Sequence, residues 1–186
     1  RPVARLLPMN TTRDQLVAAT AHLIETHGYV GTGLSAILRA SGAPKGVLYY
    51  HFPAGKEELA AEAITQSARG LIANMQAQLA TIADPVDAIH AFLIALAGYV
   101  EAGACQVGAP FAAVALETAA ASDRLAASCQ HAYDGLQQVV ADKLTTGGWP
   151  PDQAASLAVA VIAIIEGSII LARARRTASP VLECAG

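Results

Sequence analysis

Aromatic residues make up only 5% of this 186-residue chain and charged residues only 15%, the latter well below the ordinary quarter. An apolar content of 54% is therefore carried by Ala and Leu rather than by Val, Thr and Tyr. That balance disfavours sheets and predicts an all-α fold. Scarce charge also implies that an unusually large surface is buried between subunits. Three cysteines, Cys105, Cys129 and Cys184, are odd in number and widely spaced. They form no CxxC pair and no metal-like cluster with the histidines, so no metal and no cofactor are expected. Free thiols in a reducing cytoplasm follow. The glycines make no phosphate-loop pattern. Cys105 could be paired with a histidine as a nucleophile, but nothing places His90 or His131 beside it and no oxyanion loop is evident, so an enzyme is not expected. Residues 1–8 carry two Arg and lack the apolar core of a signal peptide. Residues 1–10 read as a flexible arm, with Met9 a candidate start.

The charge that is present is unevenly placed. Residues 1–56 hold six Lys/Arg against Asp14 and Glu25, a net +4, whereas residues 57–186 hold six bases against thirteen acids, a net −7. A basic head on an acidic body suits a small nucleic-acid-contacting face on a larger domain with another task, although the overall charge is −3.

The chain is organised around 32–52, TGLSAILRASGAPKGVLYYHF. Leu34, Ile37 and Leu38 share one helical face. Gly42 suits a left-handed helix end, and Pro44 suits the first position of a new helix, expected over 45–51. Two short helices joined by a tight Gly-containing turn make a helix-turn-helix. In the second of them Val47, Leu48 and Phe52 can face inward. Lys45, Gly46, Tyr49, Tyr50 and His51 are left outward, where a solvated face would normally carry Glu, Gln or Ala. Phenol hydroxyls, a cation and a glycine that permits close approach suit a phosphate backbone; the structural alternative is a core-capping helix with aromatic filler.

The run 19–59 resembles the DNA-binding domain of the TetR family of bacterial transcriptional regulators. The resemblance rests on Ala21, Leu23, Gly28, Tyr29, Thr32, Ile37, Ser41, Gly42, Lys45, Gly46, Leu48, Tyr49, Tyr50, His51, Phe52, Lys56, Glu57 and Leu59. Pro53, Ala54 and Gly55 before Lys56 resemble the LmrA/YxaF-like branch, while Pro44 departs from the small polar residue usual there. The resemblance implies phosphate contacts from Thr32, Tyr49, Tyr50 or His51, and Lys56, with Lys45 and Gly46 nearer base edges. It also implies a homodimer whose two heads read a palindromic operator in double-stranded DNA.

The remaining expectations are helical. Asn10, Thr11 and Thr12 offer caps for a first helix ending near His27, with Arg13 either solvated or on a phosphate. Thr32 is expected to cap the next helix and to meet a phosphate there. A long helix over 55–82 starts at Lys56, where a cation opposes the dipole and so favours an anion partner. Asp84-Pro85 restarts the chain, with Val86, Ile89, Phe92, Leu93, Leu96 and Val100 as an inward stripe. Pro110 opens a helix to about Ala121, and Asp123 caps another to about Thr146. The last helix, over 152–177, is apolar enough to suggest a membrane span, but Glu166 lies within it, and resemblance places the dimer interface there instead. The divisions expected are 11–54 as DNA-binding domain, 55–82 as connecting helix and 83–186 as ligand-binding and dimerisation domain. A pocket for a small lipophilic effector is implied within that last part. Phe92, Tyr99, Cys105, Phe111, Glu117, His131, Trp149 and Glu166 are its candidate lining, against the plainer reading of each as core or surface. Glu117 and Glu166, carboxylates in apolar runs, suit either a partner across the dimer or a cationic or hydroxylated ligand. A fully packed body would instead favour a DNA-binding protein without an effector.

Overall fold

The computed structural model describes residues 11–107, 109–118 and 120–185, and among these residues there are nine α-helices and no strand. They are α1 (Thr12–Gly31), α2 (Leu34–Ser41), α3 (Lys45–His51), α4 (Lys56–Leu79), α5 (Pro85–Ala102), α6 (Ala112–Thr118), α7 (Asp123–Thr146), α8 (Pro151–Arg175) and α9 (Ser179–Glu183). The arm expected over 1–10 lies outside the described residues.

Most boundaries follow from local chemistry. Thr11 caps α1 by accepting from the Asp14 N–H, and the Asp84 carboxylate accepts from the N–H groups of Val86 and Asp87 with Pro85 at the first position of α5. Gly42 ends α2 in the left-handed region at φ 68°, a conformation that costs glycine nothing. Several ends move by a residue or more. Pro44 is the cap of α3 rather than its first residue, and Ser122 rather than Asp123 caps α7, its hydroxyl accepting from the Leu125 N–H. The helix expected from Pro110 to Ala121 is confined to Ala112–Thr118. Val86, expected inward, is 60% exposed, because Pro85 and Ala88 take the buried positions of that turn. The unforeseen α9 forms because Arg176 takes a left-handed conformation, reversing the chain so that Pro180 and Val181 are buried.

Two buried clusters organise the molecule. The first joins Leu16 and Val17 of α1, Ile37 of α2, Leu48 and Phe52 around α3, and Leu59 and Ala63 of α4. The second begins at Ile24 and Ala60, runs along α4 through Ile64, Ala68 and Met75, and takes in α5 to α9. The start of α4 therefore serves both clusters, with Leu59 and Ala63 on one side and Ala60 and Ile64 on the next. Burying each cluster contributes roughly 25 cal/mol per Å² of apolar surface removed from water. Helices α5 and α8 are long and apolar enough to cross a membrane by length and composition alone. In α8 the buried positions Ala154, Ala158, Ile162, Ile165, Ile169 and Ala172 form one stripe, and Val159, Ile164, Ile170 and Leu171 remain about half exposed on the other side.

Candidate nucleic-acid interface and buried cavity

Helix α3 is held by one deep anchor. Leu48 is 1% exposed and Phe52, just beyond the helix, 2%, with Val47 half-buried beside them, so the other side chains of the helix are turned to its outer side. Tyr50 is 80% and Tyr49 44% exposed, and Lys45 and Gly46 are exposed beside them. The His51 ring is half-buried and packs edge-to-face on Tyr50 at 5.0 Å between centroids. A Cβ on Gly46 would meet nothing within 4 Å. Nothing inside the protein requires glycine there, although it costs about 1 kcal/mol of helix propensity. The residue fits a surface that something else must approach closely.

Two expected contacts are corrected. Thr32 does not cap α2: it is 1% exposed and its hydroxyl donates to the Gly28 carbonyl at 2.7 Å, leaving Gly33 as a cap without a side chain. Lys56 does not reach outward either. Its ammonium donates to the Tyr29 carbonyl at 2.6 Å and lies 4.0 Å above the Tyr29 ring. Burial lowers its pKa, opposed by the field of the Glu117 carboxylate. The ammonium at this helix start is thus met inside the molecule by a neutral carbonyl and a ring, with the Glu117 carboxylate acting through its field. Arg13 likewise turns inward, 3.3 Å from Glu62 and over the Phe52 ring.

Glu117, expected near a ligand, instead ties α6 to the end of α1. Its carboxylate, on α6, accepts from the Val30 N–H at 2.8 Å. It fills the space a Cβ on Gly28 would need, where α1 kinks at φ 74°. Glycine is required there both for the dihedral and for the close approach. Ser122 donates to the Glu57 carboxylate at the start of α4, and Arg173 of α8 donates to the carbonyls of Glu25 and Gln106. These polar contacts tie the ends of α1 and α4 to the larger cluster.

At the edge of that cluster lies a partly open cavity of about 50 Å³, with the exposed Leu71 and Asn74 at its rim. Its walls are Leu71, Asn74 and Met75 of α4, Phe92 and Leu96 of α5, Pro110 and Phe111, Leu136 of α7, and Ile162, Ile165 and Glu166 of α8. Phe92, Phe111 and Glu166 were foreseen. The other five candidates are elsewhere: Tyr99 is 53% exposed near Glu25, Cys105 is packed in the core, Glu117 is on the α1 kink, His131 is exposed, and Trp149 is 38% exposed in the α7–α8 connection. Helical periodicity identifies inward faces but does not tell a cavity wall from filled core, so Leu71, Met75 and Leu136 carried no signal. Tyr133 was also missed. Its ring packs edge-to-face on Phe111 at 6.0 Å, and its hydroxyl lies near the Glu166 carboxylate, favouring the ionised form of that group. Burial pushes the Glu166 carboxyl up to about 7, against the Tyr133 hydroxyl and the field of Arg173, and Glu166 Oε2 has no hydrogen-bond partner among the described residues. Burial also raises the Cys129 thiol to about 11, so it is an inert core group. Pro110 and Phe111 have a second role: they wall a smaller cavity, of about 10 Å³, against Ala21 and Ile24 of α1 and Ala63 and Ile64 of α4.

The sequence and the fold have matches among known proteins. Residues 16–63 match the family described as bacterial regulatory proteins, tetR family, and residues 85–186 match the C-terminal domain of LmrA/YxaF-like transcriptional regulators. The HTH-type transcriptional regulator LmrA of Bacillus subtilis is 35% identical, over 92% of this chain and 91% of its own. The uncharacterised regulator YxaF of the same organism is 34% identical, over 92% and 90%. A crystal structure of a TetR transcriptional regulator from Chloroflexus aurantiacus superposes with a TM-score of 0.77 at 32% identity, covering 94% of this chain and 89% of that one. By these matches the chain belongs to the TetR family, in its LmrA/YxaF-like branch, as a helix-turn-helix transcriptional regulator and not an enzyme.

Proposed function

We propose that this regulator is a cytoplasmic homodimeric repressor that leaves a palindromic operator when a small lipophilic effector enters the cavity. The observation that carries the reading is the outward face of α3, where Lys45, Gly46, Tyr49 and Tyr50 have no task in the core. Lys45 and Gly46 approach base edges, Tyr49, Tyr50 and His51 hold phosphates, and the exposed Ser35 at the start of α2 takes the phosphate role first given to Thr32. The working division is 11–54 for DNA, 55–82 as connector and 83–186 for effector and dimer. The half-exposed apolar side of α8 supports pairing with a second copy, because two such faces bury each other without a membrane. A dimer with heads about 34–36 Å apart reads successive major grooves.

The route of the signal follows from Phe111. It walls the effector cavity on one side and the seam against α1 and α4 on the other. A cavity of about 50 Å³ is below the roughly 300–1,000 Å³ of drug-sized sites, so an effector must displace its walls. Displacing Phe111 moves α6, loosens Glu117 from Val30, and changes the spacing of the two heads. A DNA-binding protein without an effector would have no use for such a cavity.

The test is a mobility-shift assay on the protein's own upstream intergenic DNA and a scrambled control, at two salt concentrations. Specific binding that weakens with salt is expected, and Tyr49→Ala should lower affinity about tenfold without changing the melting temperature. Equal binding by that variant would remove α3 as the contact face.

A further inference from the structure

The cavity is apolar on nearly every side, yet one of its walls is a carboxylate. Asn74 and Glu166 are the polar residues among its lining; Leu71, Met75, Phe92 and Ile162 are typical of the rest. Tyr133 lies close enough to the Glu166 carboxylate to lower its pKa, while Oε2 is buried without a hydrogen-bond partner among the described residues. Arg173, two turns further along α8, does not close the gap. Its terminal nitrogen donates to the carbonyls of Glu25 and Gln106, its Nε is buried without a partner among the described residues, and it makes no ion pair with Glu166, on which it acts through its field. A buried carboxylate with an open oxygen and no ion pair is costly unless something supplies charge and a donor.

We infer that the cavity takes a lipophilic monocation, a protonated amine on an apolar body, whose N–H donates to Glu166 Oε2 while the body displaces the aliphatic and aromatic walls. The Phe92 and Phe111 rings line the same space, and an aromatic ring beside a cation attracts it. A neutral hydroxyl would satisfy the open oxygen but leave the carboxylate with no positive charge beyond the field of Arg173. An anionic ligand would bring a second negative charge beside it. Burial raises the pKa of Glu166 and the field of Arg173 offsets only part of that shift, so a cation placed against the carboxylate would add what burial removes.

This inference rests on the cavity being the effector site, and the experiment separates the two. The full chain, without DNA, is titrated calorimetrically at pH 8 with n-hexylammonium, n-hexanol and hexanoate, which share one body and differ in charge. Hexylammonium should bind at least tenfold more tightly than hexanol, and hexanoate more weakly than both. Glu166→Gln should bring hexylammonium and hexanol within about twofold of each other while hexanol binding is kept, which also shows that the variant is folded. Equal binding of amine and alcohol by the parent chain, a preference for hexanoate, or an amine preference that survives Glu166→Gln would overturn the cation assignment and leave the effector cavity standing. Binding of none of the three would overturn both.

Discussion

Lys56 stands at the start of a helix with its charge folded back onto Tyr29, so removing that charge should be felt in stability rather than at the DNA. Lys56→Met loses a charge-assisted hydrogen bond and a cation–π contact, together about 2 kcal/mol. The expected result is a lower urea midpoint with an unchanged salt dependence of operator binding. A salt slope reduced by about one unit would instead place the ammonium on a phosphate. Gly28 offers a second test at this scale. Gly28→Ala should destabilise by at least about 1–2 kcal/mol, because φ is positive and Glu117 occupies the Cβ position. In a Glu117→Ala background the steric part should vanish and only the dihedral part remain, which a double-mutant cycle in urea measures. Neither interaction is legible in sequence. Gly28 and Glu117 are far apart along the chain, and no local pattern says which carboxylate closes on a kinked helix end.

Individual helices were more legible, since each is specified by its own caps and stripe. The turn from α2 to α3 follows from Gly42 and Pro44, and the start of α5 from Asp84 and Pro85. The errors fall where tertiary packing overrides the local signal. Thr32 has a good capping side chain but spends it on the Gly28 carbonyl, and α9 exists because Val181 has a core to enter. Helix α8 is apolar on both sides, which neither a solvated surface nor a fully buried helix in one chain explains. Ile164→Glu places a charge at the centre of its outward face. It should turn a dimer into a monomer in sedimentation at micromolar concentration while helical content is kept, and a persistent dimer would put the interface elsewhere.

At the scale of the whole molecule, the pH dependence of stability reports the cavity. The Glu166 carboxyl is raised from an ordinary 4.5 to about 7, mainly by burial, so the folded state holds a proton that the unfolded chain releases earlier. That proton stabilises the fold fully below about pH 4.5, and the contribution is lost as the pH rises to about 7, a change of about 3 kcal/mol. Glu166→Gln should flatten this part of the curve. The variant should thus gain relative to the parent between pH 5 and pH 8 in parallel urea melts, and parallel curves would show that Glu166 is not buried as described. What the sequence determined by itself is the helical class, the helix-turn-helix and the outward chemistry of α3, because these depend on composition, turn residues and spacing within some twenty neighbouring positions. Only the tertiary structure decided that Thr32 and Lys56 face inward, that Glu117 bridges α6 to α1, and that Phe92, Phe111 and Glu166 share one cavity with Leu71 and Leu136. Those facts depend on which helix faces are brought together across long stretches of chain, and a periodic apolar stripe reads the same whether it meets a neighbour or a void.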